Sequence, residues 1–93
     1  MKIQNQNDTK RGSFFIEEGG RKIGQMFYSF SGPGKMVIEH TEVDGAYEGK
    51  GFGRQLVKAG VSYARENQLQ IIPVCPFARK IFEITPAFAD VLF

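Results

Sequence analysis

The chain has no tryptophan, one cysteine and one histidine among its 93 residues. A single thiol excludes an internal disulfide. One Cys with one His excludes a Cys/His zinc cage within one copy, so no metal is expected. No apolar run exceeds about five residues, far below the roughly 18 that a membrane-spanning helix needs. The opening residues, MKIQNQNDTKRG, lack the apolar stretch of a secretory leader. The expected compartment is therefore the cytoplasm, where a lone thiol stays reduced. Charge of one sign is missing too. Twelve Lys and Arg against ten Asp and Glu leave a net +2, too little for an electrostatic nucleic-acid binder. Neither nucleic acid nor membrane is expected as a partner, and RNA binding by stacking of Phe27 or Tyr28 on bases at a sheet face is the least expected function.

What is present suffices for one small core. The length allows a single domain, and 42% hydrophobic residues with nine Phe exclude a disordered chain. Residues 1–12 are polar apart from Met1 and Ile3 and are expected to form a flexible arm, with residues 13–93 as the domain. Residues 13–18 and 21–30 read as strands joined by Gly19-Gly20, a two-residue hairpin turn that needs φ > 0 at both positions. By period two, Ile23, Gln25 and Phe27 share one face of the second strand, and Met26, Tyr28 and Phe30 the other. After the turn Ser31-Gly32-Pro33-Gly34, residues 35–43 form a third strand with Met36, Ile38 and His40 on one face. From Gly51 the spacing turns helical: Phe52, Leu56, Gly60 and Ala64, widened by Val57 and Val61. Asn67 is the expected left-handed residue after that helix. Residues 69–74 read as a short strand, which Pro73 places at an edge, a bulge or a splayed end. Pro76 suits the first turn of a second helix, with Phe77, Ile81, Phe82 and Ile84 as its buried stripe and Pro86 as its end. The order β-β-β-α-β-α predicts an α/β (α+β) fold with a mixed sheet. An antiparallel meander is followed by a right-handed parallel βαβ crossover.

The chemistry-bearing segment is Ala46-Tyr47-Glu48-Gly49-Lys50-Gly51-Phe52-Gly53-Arg54. Alternating glycines let a backbone approach a ligand closely. A helix begins at once, so its unpaired N–H groups and positive dipole end face the loop. Such a loop cradles a diphosphate, and Lys50 and Arg54 add charge nearby. The spacing G-x-G-x-G matches neither a Walker loop nor the dinucleotide fingerprint. A purely structural role for the glycines as turn-formers is the competing reading.

This segment resembles the acyl-CoA diphosphate loop of the GNAT superfamily of N-acetyltransferases, whose usual pattern is Q/R-x-x-G-x-G/A. Here the pattern starts at Glu48 and takes Gly51 and Gly53 as its glycines. Glu48 departs from the usual Gln or Arg, and is expected to point away from the cradle while backbone amides bind. The resemblance extends over residues 12 to 90, to a compact GNAT-like subfamily with a His-Thr-x-Val strand end (His40-Thr41-Glu42-Val43) and Pro-x-Cys (Pro73-Val74-Cys75) before a helix. It implies acetyl-CoA or CoA as cosubstrate and acetyl transfer to an unidentified amine. The expected ligand residues are Thr41, Glu42, Val43, Gly49, Lys50, Gly51, Phe52, Gly53 and Arg54. For Thr41, Glu42 and Val43 the role implied is backbone contact with the pantetheine arm; an ordinary strand end is the alternative.

Two readings of His40 and Cys75 stay open. A thiol at a helix N-terminus has a lowered pKa, and parallel strands around the glycine-loop helix bring both residues towards one end of the sheet. Cys75 is then an acyl-accepting nucleophile with His40 as its base; the resemblance implies the same roles. Alternatively Cys75 is a buried small hydrophobe and His40 a packed core residue. A third route has an amine attack the thioester directly, with His40 or Glu42 taking its proton. An ordinary GNAT protein carries a further strand and one or two helices ahead of its central sheet. Without them, the acceptor site is expected to be open and shallow, or completed by a second copy; both monomer and homodimer are compatible. The alternative function is a non-catalytic CoA-binding or protein-interaction module.

Overall fold

A computed structural model describes residues 2–93. Five strands line up in the order β1-β2-β3-β4-β5: β1 (Ile3–Asn7), β2 (Arg11–Glu18), β3 (Arg21–Phe30), β4 (Lys35–Val43) and β5 (Gln70–Pro73). The first four are antiparallel neighbours, and β5 joins β4 in parallel. The parallel step is made by helix α1 (Phe52–Glu66), and α2 (Pro76–Ile84) follows β5. This is the mixed sheet that the sequence predicts, with one strand more. Among the described residues no helix is long and apolar enough to cross a membrane.

The added strand corrects the expectation of a loose N-terminal arm. Residues 3–7 pair with β2 from Ile3↔Ile16 to Asn7↔Gly12. Side-chain amides fasten them: Tyr28 donates its hydroxyl to Asn5 Oδ1 at 2.7 Å, and Asn7 Nδ2 donates to the hydroxyls of Tyr28 and Tyr63. Tyr28 is 1% exposed, so it cannot stack on a base.

Two register shifts reset the faces of the sheet. Ile16 pairs with Gly24 but Glu17 pairs with Lys22, leaving Ile23 as an extra residue. Phe27 pairs with His40 while Tyr28 pairs with Ile38, leaving Glu39 extra. Side chains alternate along a strand, so each extra residue reverses the faces beyond it. Ile23 therefore joins Met26 and Tyr28 in the core rather than sharing a face with Gln25 and Phe27. His40 leaves the face of Met36 and Ile38 and lies beside Phe27, their rings stacked at 6.2 Å.

One face of the sheet carries the core. Leu56, Val57, Val61 and Ala64 of α1 pack on Met26, Met36, Ile38 and Ile71, and Ala78, Ile81 and Phe82 of α2 close one end. The long helix ends in a Schellman motif. Leu69 N–H donates to Ala64 C=O and Gln68 N–H to Arg65 C=O. The left-handed residue is Gln68, φ +57, one position beyond the expected Asn67. Arg65 grips both carboxylate oxygens of Asp90 and the carbonyl of Ala87, which fastens the C-terminal 3₁₀ turn Pro86–Val91 to α1. Phe77 and Ile84, expected in the core, are 42% and 52% exposed.

Candidate functional site

Strand β5 stops short of its neighbour. Pairing ends at Ile38↔Pro73, whereas β4 continues to Val43. At the parting point the amides of Val74 and Cys75 both donate to the carbonyl of Ile38, each at 3.0 Å. Among the described residues, 39–43 thus have no strand partner on that side; apart from Thr41, whose backbone meets the Cys75 thiol, this edge is open to bind something else.

Beside this free edge lies a groove of about 480 Å³. Its walls are Thr41 and Val43 of β4, the loop residues Tyr47, Glu48, Gly49 and Gly51, the opening of α1 (Phe52, Gly53, Arg54), and Phe77 and Ile81 of α2. Seven of the nine expected ligand residues line it: Thr41, Val43, Gly49, Gly51, Phe52, Gly53 and Arg54. The side chains of Glu42 and Lys50 do not. Glu42 instead borders a smaller hollow of about 290 Å³, with Lys22, Gln25 and Asp44.

The loop is shaped by glycine where glycine is required. Gly49 and Gly51 have φ of +78° and +82°, and a Cβ at either position would meet nothing within 4 Å. Their space is open to a ligand rather than filled by the protein. Gly51 is the N-cap of α1 and has no side chain to cap it. The first helical bond runs from Gln55 N–H to Gly51 C=O, so the amides of Phe52, Gly53 and Arg54 lack helical partners. They carry the positive end of the helix dipole, with no acidic residue in the first turn. Gly53 has a different role. A Cβ there would lie 2.7 Å from Phe77 Cζ, so its bareness lets the Phe77 ring settle against the start of α1.

Electrostatics in the groove are mixed. Arg54 donates to Thr85 Oγ1 at 3.3 Å. Glu48 is among the residues that line the groove, and its backbone is extended, φ −66° and ψ 151°. Sequence reasoning missed Tyr47, Phe77 and Ile81 as wall residues. The spacing of Phe77 and Ile81 marks a helical stripe but does not say whether it faces a core or a groove.

The structure does not bring His40 and Cys75 together. Neighbours on a strand point to opposite faces: Thr41 sits on the helix side, while His40 faces away with Phe27. The His40 side chain is 61% exposed and its Nε2 lies 3.2 Å from Glu42 Oε2. Cys75 is 4% exposed, and its thiol donates to Thr41 Oγ1 at 3.6 Å. The extra residue at Glu39 is the physical reason: without it His40 would share the face of Ile38. The sheet therefore separates the proposed base from the proposed nucleophile.

Burial pushes the Cys75 thiol up, but the Ala78 amide, the Thr41 hydroxyl and the Phe77 amide outweigh it and hold the thiol below its ordinary range. Cys75 is the N-cap of α2, so these amides open that helix and favour thiolate. Thr41→Val should therefore raise the Cys75 pKa, read from thiolate ultraviolet absorbance across a pH titration. The linked stability has a definite sign. The folded pKa lies below the unfolded value near 9.0, so the contribution is present above that value and is lost as pH falls through the folded pKa. In Thr41→Val this pH-dependent component should shrink; an unchanged titration would remove Thr41 from the account.

A family profile for GCN5-related N-acetyltransferases matches residues 13–91. The chain is 29% identical over 85 residues to Protein NATD1 of Gallus gallus, covering 90% of this chain and 77% of that protein. It is also similar to a GCN5-like protein of Staphylococcus aureus whose solution structure has been determined. There the TM-score is 0.78 and the identity 32%, with 99% of this chain and 87% of that one covered. The fold is shared more distantly with the ribosomal-protein-alanine N-acetyltransferase of Brucella melitensis biovar Abortus 2308, TM-score 0.70 at 18% identity, over 84% of this chain and 62% of that one. With the profile spanning most of β2, strands β3 to β5 and both helices, the chain belongs to the GCN5-related N-acetyltransferase family.

Proposed function

We propose that the chain binds acetyl-CoA along the groove and transfers its acetyl group to an amine on a protein or small molecule. The observation that carries this reading is the meeting, in one groove, of an uncapped helix N-terminus, two open left-handed glycines and a free strand edge. These residues suit the ligand: the amides of Phe52, Gly53 and Arg54 would hold the diphosphate, and the backbone of residues 41–43 would pair with the amides of the pantetheine arm. Bound acetyl-CoA would supply an activated thioester.

The geometry favours direct attack over an acyl-cysteine. Cys75 is nearly closed off and has no base in hydrogen-bond contact. In direct transfer the amine nitrogen bonds to the acyl carbon as the carbon–sulfur bond breaks. One amine proton passes to a base, and the CoA sulfur is protonated as it leaves. An acceptor arriving over the face of the sheet away from the helices meets His40, whose ring is held by Glu42 and Phe27, and would reach the groove through the split where β4 and β5 part beyond Ile38↔Pro73. His40 is assigned as that base.

The test is calorimetric titration with CoA and acetyl-CoA, followed by CoA-release assays over a panel of peptide and small amines. Both ligands are expected to bind. Cys75→Ala should retain transfer, and His40→Ala should lower kcat by about 100-fold, the lower end of what a general base contributes. Loss of transfer in Cys75→Ala with an intact fold would restore the acyl-cysteine route. Binding without transfer to any amine would leave a non-catalytic CoA-binding module.

A further inference from the structure

The far end of the glycine loop is tied only to the start of α1, where Gly51 C=O accepts from Gln55 N–H. Among the described residues, positions 48–51 make no side-chain hydrogen bond, and two left-handed glycines give this stretch much conformational freedom to lose. Its anchors lie just before it. Asp44 caps the 3₁₀ turn Gly45–Tyr47 by accepting from Ala46 N–H through Oδ1 at 3.0 Å. Its other oxygen takes Arg21 Nη1 at 2.5 Å, and its amide donates to Ile23 C=O at 2.8 Å. Tyr47 donates its hydroxyl to Glu18 Oε2. The Tyr47 ring lies 6.0 Å from that of Phe52, bridging the two ends of the loop. Glu18 and Arg21 flank the Gly19-Gly20 turn, so both tethers come from one hairpin tip. The titration behaviour agrees: the hydrogen bond from Arg21 holds the Asp44 carboxyl below its usual range, and the bond to Glu18 raises Tyr47.

We propose that Glu18 and Arg21 are positioning residues for the diphosphate cradle. They hold Tyr47 and Asp44, and through them the glycine loop, in the shape that receives an acyl-CoA diphosphate. The role rests on the acetyl-CoA reading above; the ordering of the loop does not. A loop that spends less time in its binding shape weakens apparent affinity by the same fraction. If a variant leaves it competent for a third to a tenth of the time, Kd rises about threefold to tenfold.

The experiment compares the wild type with Glu18→Ala, Glu18→Gln, Arg21→Ala and Tyr47→Phe. Two readouts are taken well below the unfolding midpoint: hydrogen exchange in the free protein at the bonded amides of Asp44, Ala46, Tyr47 and Glu48 that lead into the loop, and the calorimetric Kd for coenzyme A. Glu18→Ala and Arg21→Ala should speed exchange and weaken Kd by similar factors. Glu18→Gln keeps an acceptor for the Tyr47 hydroxyl and should restore both. Glu18→Ala combined with Tyr47→Phe should be no worse than either alone, because both cut the same tether. Unchanged exchange would overturn the clamp. Faster exchange with unchanged Kd would overturn its role in binding. If the wild type fails to bind coenzyme A, the acetyl-CoA reading falls and the exchange rates alone decide whether the hairpin orders the loop.

Discussion

Gly51→Glu is expected to weaken coenzyme A binding by about 100-fold while leaving a folded protein. Two effects combine. Gly51 sits at φ +82°, where a side chain costs about 1–2 kcal/mol. The added carboxylate would also stand at the N-cap of α1, beside the unpaired amides of Phe52, Gly53 and Arg54. It would occupy the anion site itself and accept from those amides. A carboxylate about 4 Å from a phosphate charge is repelled by about 1 kcal/mol in water and about 4 kcal/mol at the lower effective dielectric of a protein surface. At 1.4 kcal/mol per factor of ten, a middle value of about 2.7 kcal/mol is a loss of about 100-fold in Kd. The fold should survive because a Cβ at position 51 meets nothing within 4 Å. Gly51→Ala separates the terms: it carries the backbone strain without the charge, and its loss of affinity should be several times smaller. Calorimetry and a thermal melt on all three proteins check this. Equal Kd values in wild type and Gly51→Glu would remove the diphosphate from this end of α1.

The fold was largely legible in the sequence because its strongest signals are local. The Gly19-Gly20 turn, the helical spacing after Gly51 and Pro76 at the start of α2 each fix an element by backbone chemistry alone. Strands β3 and β4 begin and end where their pattern does. What could not be read depends on pairing. Period-two reasoning assumes an unbroken ladder, and one extra residue opposite a partner strand reverses every face beyond it. Nothing about Ile23 or Glu39 as residue types announces a bulge. The misplacement of His40 on the face of Met36 and Ile38 follows from that alone; the His40–Cys75 pair rested on strand order, which brings residues to one end of a sheet without fixing their faces. The glycine loop, whose geometry is set by its own residues, lines the groove. Phe77 and Ile81 came from another helix, and only the packing of α2 against Gly53 brings them in.

Gly12→Ala is expected to cost about 3 kcal/mol, and the reason lies in the strand that the sequence hid. Ile-Gln-Asn-Gln-Asn has no apolar alternation, so β1 offers no pattern to find; it is held by its ladder and by amide–tyrosine bonds. Gly12 stands opposite Asn7 on one side and Tyr28 on the other. A Cβ there would lie 2.4 Å from Asn7 Cβ, 2.7 Å from the backbone oxygen of Gln6 and 2.7 Å from the Tyr28 hydroxyl. The backbone oxygen cannot swing aside as a side-chain tip can, so β1 or β2 must move. Overpacking of this kind costs about 1–3 kcal/mol. The shift also strains the bonds from Asn7 to Tyr28 and Tyr63, each worth about 0.5–1.5 kcal/mol. At about 0.05–0.15 kcal/mol per residue, a chain of this length is stable by about 5–14 kcal/mol, so the loss is a large share. For a domain this size, Tm should fall by about 12–24 °C, at about 4–8 °C per kcal/mol. Asn7→Ala removes its own two bonds without a clash and should cost less than Gly12→Ala. Urea unfolding of the two variants gives the comparison. If Gly12→Ala unfolds within about 0.5 kcal/mol of the wild type, the size of a neutral surface change, β1 does not pack against β2 as described.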